Sequence, residues 1–235
     1  MIRLDKMLSH LGYGSRKEVK ELIRHGWVYV NGEQIKDDDF KVSEIDDEII
    51  VDGDKIDYEE FIYIMLNKPQ GVISATYDPR YETVVDLIPE YRKMNIFPVG
   101  RLDIDTEGLL IITNDGELAH KLLSPKYHVF KKYYVEFSGM FRDSYYESFE
   151  KGITLDDGYV TLPGRIEVIG DNKAYVYIRE GKFHQVKRMF EALDMHVEFL
   201  KRIAFGDINL DENLKLGEWR MLENDELNSL KASIK

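Results

Sequence analysis

Residues 100–116, GRLDIDTEGLLIITNDG, place two aspartates and a threonine between two apolar stretches, NIFPVGRL (95–102) and GLLIITND (108–115). Short Ile- and Leu-rich runs bounded by Gly and Asp read as buried strands, and GELAHKLLS (116–124) reads as the helix that follows. Asp103 therefore lies just past a strand ending in Arg101, on a loop that returns into the next strand. Toward the N-terminus, VVDLIPEYRK (84–93) predicts a short helix, TYDPRYET (76–83) a polar loop and FIYIMLNKPQG (61–71) a strand running into Lys68-Pro69. Toward the C-terminus, KKYYVEFSG (131–139) and NKAYVYIRE (172–180) alternate with period two as strands. HQVKRMFEAL (184–193) predicts a helix with Val186, Met189, Phe190 and Leu193 on its core face. Strands and helices mix without a regular βαβ repeat, so the class is α+β, with a largely antiparallel sheet over residues 61–235.

A second, smaller pattern precedes this one. Leu4, Met7, Leu8 and Leu11 fall at helical spacing, and Gly12 and Gly14 break it. Ser15 with Glu18 three residues later is a capping-box signature, so a second helix starts there and stops near Gly26. Arg16, Lys20 and Arg24 lie one turn apart on it, beside Lys17. WVYVNGEQI then reads as a strand, an Asn31-Gly32 hairpin turn and a returning strand. The expected division is 1–52 as a small basic module, 53–60 as linker, and 61–235 as the larger domain.

The 235 residues carry a formal net charge of −12, unevenly spread. Residues 1–36 hold seven Lys and Arg against four Asp and Glu, whereas residues 37–60 hold two against twelve. The acidic run is expected to be a solvated connector. Absence of cysteine excludes disulfides, thiolate zinc sites and thiol catalysis, and with no long apolar segment the expectation is a cytoplasmic protein without a membrane partner. The six histidines show no metal-ligand spacing, and no glycine-rich phosphate cradle occurs. Neither a metal nor another cofactor is expected.

Taken alone, Asp103 and Asp105 could cap a turn with Thr106. An aspartyl phosphotransferase would begin with a similar pair, but it expects a small hydroxyl residue or Val where Glu107 stands, and a doubly wound fold. A glycosidase needs carboxylates on opposite sides of a sugar, which two aspartates on one short loop do not supply.

The run RLDKMLSHLGYGSRKEVKELIRHGWVYVNG resembles the S4 domain, an RNA-binding module, at Arg3, Leu4, Asp5, Ser15, Arg16, Leu22, Ile23, Gly26, Val28, Val30, Asn31 and Gly32. The resemblance implies docking on structured RNA, with Arg3, Arg16, Lys17, Lys20 and Arg24 as phosphate contacts. LNKPQGVIS, GRLDIDTEGLLIITNDG, KKYYV and EGKFHQVKRMF, in that order, resemble the pseudouridine synthases of the RsuA type over residues 61–222. That likeness implies isomerisation of uridine in ribosomal RNA without a cofactor. It makes Asp103 the catalytic carboxylate, either nucleophile or base, with Lys187 as its basic partner and Tyr133 against the flipped base. It also implies that Arg101 holds the everted nucleotide or fills the gap it leaves, that Lys68 shapes the floor of the cleft, and that His184, Gln185 and Arg188 face the substrate. Asp105 is expected to hold the loop in shape with Thr106.

The HQVKRM and LNKPQG motifs look more like the small-subunit enzymes, so 16S rRNA or an assembling small subunit is the expected partner of a monomeric enzyme. A 23S rRNA enzyme and a catalytically inactive RNA-binding assembly factor are the alternatives.

Overall fold

The computed structural model describes residues 1–56 and 58–234. Asp57, inside the expected linker, and Lys235, at the end of the expected larger domain, lie outside the described residues. The chain divides into two compact units, Met1–Phe61 with Glu90–Asn95, and Ile62–Pro89 with Ile96 onward.

The first unit runs β1 (Ile2–Arg3), α1 (Leu4–His10), α2 (Arg16–Arg24), β2 (Val28–Val30), β3 (Glu33–Ile35), β4 (Lys41–Val42), β5 (Ile49–Val51) and β6 (Asp54–Ile56). The capping box forms as read: Ser15 Oγ accepts from the Glu18 amide, and the Glu18 carboxylate accepts from the Ser15 amide at 2.7 Å. Asn31 and Gly32 both take positive φ, 50° and 80°, which is the two-residue turn whose twist suits a hairpin. Leu4, Met7, Leu8, Val19, Ile23 and Val28 pack into one core with Val42, Ile49 and Val51.

Those last three correct the expectation of a solvated connector. The acidic run supplies β4, β5 and β6, and β6 occupies part of the expected linker, at the edge of the sheet ordered β3-β2-β5-β6. Val42, Ile49 and Val51 point into the core, with Phe40 and Ile56 packed against it, while most of its carboxylates stay outside, so counting charge hid the strands.

Asp5 is fully buried beneath the basic face, taking hydrogen bonds from Arg3 at 2.9 and 3.0 Å and from Arg16 at 2.8 Å. Burial pushes its pKa up, but the hydrogen bonds and charges of the two guanidiniums outweigh that and hold it at about 2. Because the folded value lies below the unfolded one, the stabilisation is complete above about pH 4 and is lost as pH falls through about 2. Asp5→Asn is expected to cost about 2 kcal/mol at pH 7, and urea unfolding should show the gap from wild type closing as pH falls toward 2. A gap of equal size at pH 2 and pH 7 would contradict this account of Asp5.

The second unit contains β7 (Tyr63–Lys68), β8 (Phe97–Pro98), β9 (Glu107–Thr113), α3 (Gly116–Leu123), β10 (Lys131–Ser138), α4 (Ser144–Lys151), β11 (Arg165–Gly170) and β12 (Lys173–Ile178). It continues with α5 (Gln185–Glu191), β13 (His196–Phe205), β14 (Ile208–Asn209), β15 (Trp219–Met221) and α6 (Asn224–Ala232). Seven strands run β11-β12-β10-β13-β9-β7-β15, with β14 beside β13 and β8 beside β9. Only the β9–β13 pair is parallel among the described residues, so the sheet is largely antiparallel, as expected.

Two local expectations are corrected. Residues 84–93 form turns followed by a 3-10 helix, Pro89–Met94, because Pro89 lacks an amide hydrogen and starts a helix better than it continues one. The stretch 95–102 is strand only at Phe97–Pro98; Gly100 then turns at φ 79°, which leaves Arg101 on the loop.

Gly108 fixes where that loop re-enters the sheet. It lies opposite Arg202 in the parallel pair at φ 105°, and a Cβ there would sit 2.2 Å from the Arg202 carbonyl oxygen. Only glycine lets β9 approach β13 so closely.

Candidate active site

The Asp103 loop is held by its own backbone and by one buried cation. The Thr106 amide donates to the Asp103 carbonyl at 3.1 Å and the Gly71 amide to the Ile104 carbonyl at 2.8 Å. Ser74 Oγ both accepts from the Leu102 amide at 2.9 Å and donates to the Leu102 carbonyl at 2.8 Å. Lys68, at the end of β7, is fully buried and donates to the carbonyls of Pro69, Asp103 and Thr106, each at 3.0 Å. All three ammonium protons are thus used within the loop. Burial lowers the Lys68 pKa to about 8, against the opposing pull of Asp103, Asp105 and Glu107.

The first turn of α5 brings the counter-charges. Lys187 Nζ lies 3.4 Å from Asp103 Oδ2 and 2.5 Å from Asp105 Oδ1. Burial raises the Asp105 pKa, but the hydrogen bond and charge of Lys187 outweigh it and keep that carboxylate below its ordinary value. Asp105 is therefore more than a loop residue, because it anchors the ammonium that faces Asp103. His184 Nε2 lies 3.7 Å from the other Asp103 oxygen, with its ring stacked on Phe183 at 3.8 Å and its backbone at φ 48°.

Asp103 and His184 line a cleft of about 60 Å³ with Arg101, Leu102, Thr106, Tyr133, Ile178, Gly181, Lys182, Gln185, Val186 and Leu200, and Lys187 reaches Asp103 without itself lining it. Asp103 is the only acid among them. Tyr133 projects from β10, nearly buried, and its neighbours across the sheet are Val176 and Arg202. The Thr106 hydroxyl is buried at the cleft and has no hydrogen-bond partner among the described residues.

Most of the sequence-derived site is thus assembled in one place, with three differences. Lys68 is not on the cleft wall and acts on the loop from behind. Arg188 is held by Asp156 and by Asp157, the latter at 2.7 Å, and is absent from the lining. Gln185 does line the cleft, but its amide is engaged: it donates to Glu180 at 3.0 Å and accepts from the Lys182 amide at 2.9 Å, which closes the loop before α5.

The sequence reading did not include the apolar walls Ile178 and Leu200, nor two buried cations, Lys131 and Arg202. Arg202 donates from Nε to the Leu109 carbonyl at 2.7 Å, and burial with the nearby Arg202 charge brings the Lys131 pKa down to about 8. No group of three or more His, Asp or Glu side chains is placed to hold a metal ion among the described residues. No helix among them is long and apolar enough to cross a membrane.

Sequence comparison agrees with this geometry. The RNA pseudouridylate synthase family matches residues 62–192 and the S4 domain matches residues 2–49. The chain is 39% identical over 238 residues to the ribosomal large subunit pseudouridine synthase B of Bacillus subtilis (strain 168), covering 99% of this chain and 96% of the relative. It is 39% identical over 230 residues to the ribosomal small subunit pseudouridine synthase A of Vibrio cholerae, covering 97% and 99%. A crystal structure of a pseudouridylate synthase superposes with a TM-score of 0.70 at 35% identity, covering 98% of this chain and all of the other. The protein belongs to the RNA pseudouridine synthase family and carries an N-terminal S4 domain.

Proposed function

We propose that the chain isomerises one uridine of 16S ribosomal RNA in the bacterial cytoplasm, with Asp103 as the reacting carboxylate. The observation that carries this is the solitary acid in a small cleft, faced by Lys187 and His184. Isomerisation breaks the N1–C1′ bond, turns the uracil and joins C5 to C1′, with the C5 proton lost and N1 protonated. One carboxylate serves either route, attacking C1′ or removing a ribose proton. Tyr133 is the surface against which the base turns, and Arg101, on the cleft lining, holds the everted nucleotide. The flipped base enters this cleft past His184, whose ring is stacked on Phe183.

The 16S assignment rests on the HQVKRM and LNKPQG motifs. The alternative is 23S rRNA, since a relative named for the large subunit is as similar, at 39% identity, as one named for the small subunit. Chemical mapping of pseudouridine in both rRNAs, in cells with and without the gene, separates them. Loss of one 16S site is expected, loss of a 23S site reverses the assignment, and no change in either favours a non-catalytic binding factor.

The S4 face supplies a second test. Lys20 and Arg24 pair with Asp38 at 3.4 and 2.6 Å, while Lys17 has no carboxylate partner among the described residues. Arg16 neutralises buried Asp5 and is best left in place. Lys17→Ala, Lys20→Ala and Arg24→Ala together are expected to weaken RNA binding and to flatten its salt dependence by up to about 0.9 in log–log slope per lost phosphate contact. The bond-breaking step at saturating RNA should hardly change. An unaltered slope would remove this face from RNA docking.

A further inference from the structure

A groove of about 970 Å³ in the second unit lies on the reverse face of the strands that carry the active site. Residues directly opposite one another across neighbouring strands share a face of the sheet. Arg165 of β11 lies opposite Tyr177 of β12, Tyr177 opposite Lys132 of β10, and Lys132 opposite Ala204 of β13. All four line this cavity, whereas Tyr133 and Ile178, their neighbours in sequence, point to the catalytic cleft. Arg179, two positions beyond Tyr177 and just past the end of β12, lines the same groove with its guanidinium 4.3 Å from the ring centre of Phe130; Arg165 lies 4.1 Å from that of Tyr177. Phe130 is 41% exposed.

We propose that this groove binds a single-stranded segment of the RNA substrate, with bases stacked on Phe130 and Tyr177 and phosphates on Lys132, Arg165 and Arg179. The proposal rests on RNA being the substrate and goes beyond the catalytic site. Charge supports it. Three cations line the groove against two acids, Glu150 and Asp207, in a chain of net charge −12. Lys132 and Arg179 have no carboxylate partner among the described residues, unlike Arg16, Lys20 and Arg24 of the S4 face, and Arg165 reaches Glu167 only at 3.6 Å. Cations already seated on the exposed ring of Phe130 and the half-buried ring of Tyr177 match the way stacking platforms hold single strands without reading sequence. An RNA whose target base enters the opposite face could extend around the β11 edge into this groove, and two linked contacts raise affinity more than either alone.

The test uses the full chain and a fluorescein-labelled 12-nucleotide RNA of mixed sequence, read by anisotropy across a salt series, together with ultraviolet crosslinking and peptide mapping. Phe130→Ala with Arg179→Ala is expected to weaken binding at least about fivefold and to lower the log–log salt slope by about 0.7. Turnover at saturating rRNA should stay unchanged, and crosslinks should fall on the Phe130 and Tyr177 peptides. Phe130→Tyr, which keeps the ring, should retain wild-type affinity. Unchanged affinity in the folded double variant overturns the proposal, as do crosslinks confined to the S4 domain and catalytic cleft. So does displacement of a bound acidic peptide, but not of RNA, by these substitutions, which would make the groove a protein-docking site. A chain that binds the strand as expected yet leaves every rRNA uridine unchanged overturns the rRNA assignment instead.

Discussion

Asp103→Asn is expected to lower turnover on the order of 10⁴-fold or more, with RNA affinity and folding nearly unchanged. An amide neither attacks C1′ nor takes a proton, and no other carboxylate lines the cleft to replace it. Structural damage should be small because Lys187 keeps its 2.5 Å contact with Asp105. The backbone contacts that shape the loop run through the Asp103 carbonyl, which the substitution leaves in place. Tritium release from RNA labelled at uridine C5 measures this step, and single-turnover conditions separate it from product release. A mutant within tenfold of wild type would leave the cleft without its reacting group.

Lys68→Met is expected to reduce kcat about 10²-fold while leaving the Kd for RNA close to wild type. Lys68 does not line the cleft; it ties the carbonyls of Pro69, Asp103 and Thr106 together from behind. Without that tie the Asp103 carboxylate wanders, and a displacement near 1 Å can cost about that factor. The effect carries a pH signature. Above about 8 the Lys68 amine has two protons left for three carbonyls, so wild-type turnover should fall through that range, and Lys68→Met should lack the fall. Stability moves in the opposite direction. Between pH 8 and 10.5 the unfolded chain holds a proton that the folded chain has released, so the folded state of the wild type gains with rising pH and the variant does not. An identical alkaline limb in both proteins would assign it to another group and remove Lys68 from the positioning of Asp103.

What was legible in the sequence was local. Ser15 with Glu18 and Asn31 with Gly32 act within a few residues, so spacing alone located a helix start and a hairpin. The Asp103 loop and Lys187 were legible because family motifs carry them, 84 positions apart in the chain. What stayed hidden depends on partners distant in sequence. The family motif separates Asp103 from Asp105, but that Asp105 anchors the ammonium of Lys187 shows only once α5 folds back onto the loop. Lys68 reads as part of the cleft floor, yet its reach to three carbonyls requires β7 to end beneath the Asp103 loop. Ile178 and Leu200 become cleft walls only through the pairing of β12, β10 and β13. The acidic run misled in the other direction, since its net charge concealed the buried Val42, Ile49 and Val51.

The most direct test of Asp103 as the carboxylate of a ribosomal RNA pseudouridine synthase is reconstitution. Small subunits and 16S rRNA from cells lacking the gene are incubated with purified wild-type protein or Asp103→Asn, and pseudouridine is mapped at single-nucleotide resolution. The account predicts one uridine converted by the wild type and none by Asp103→Asn at equal RNA occupancy. Full conversion by Asp103→Asn, or no conversion of any uridine by the wild type, would contradict it.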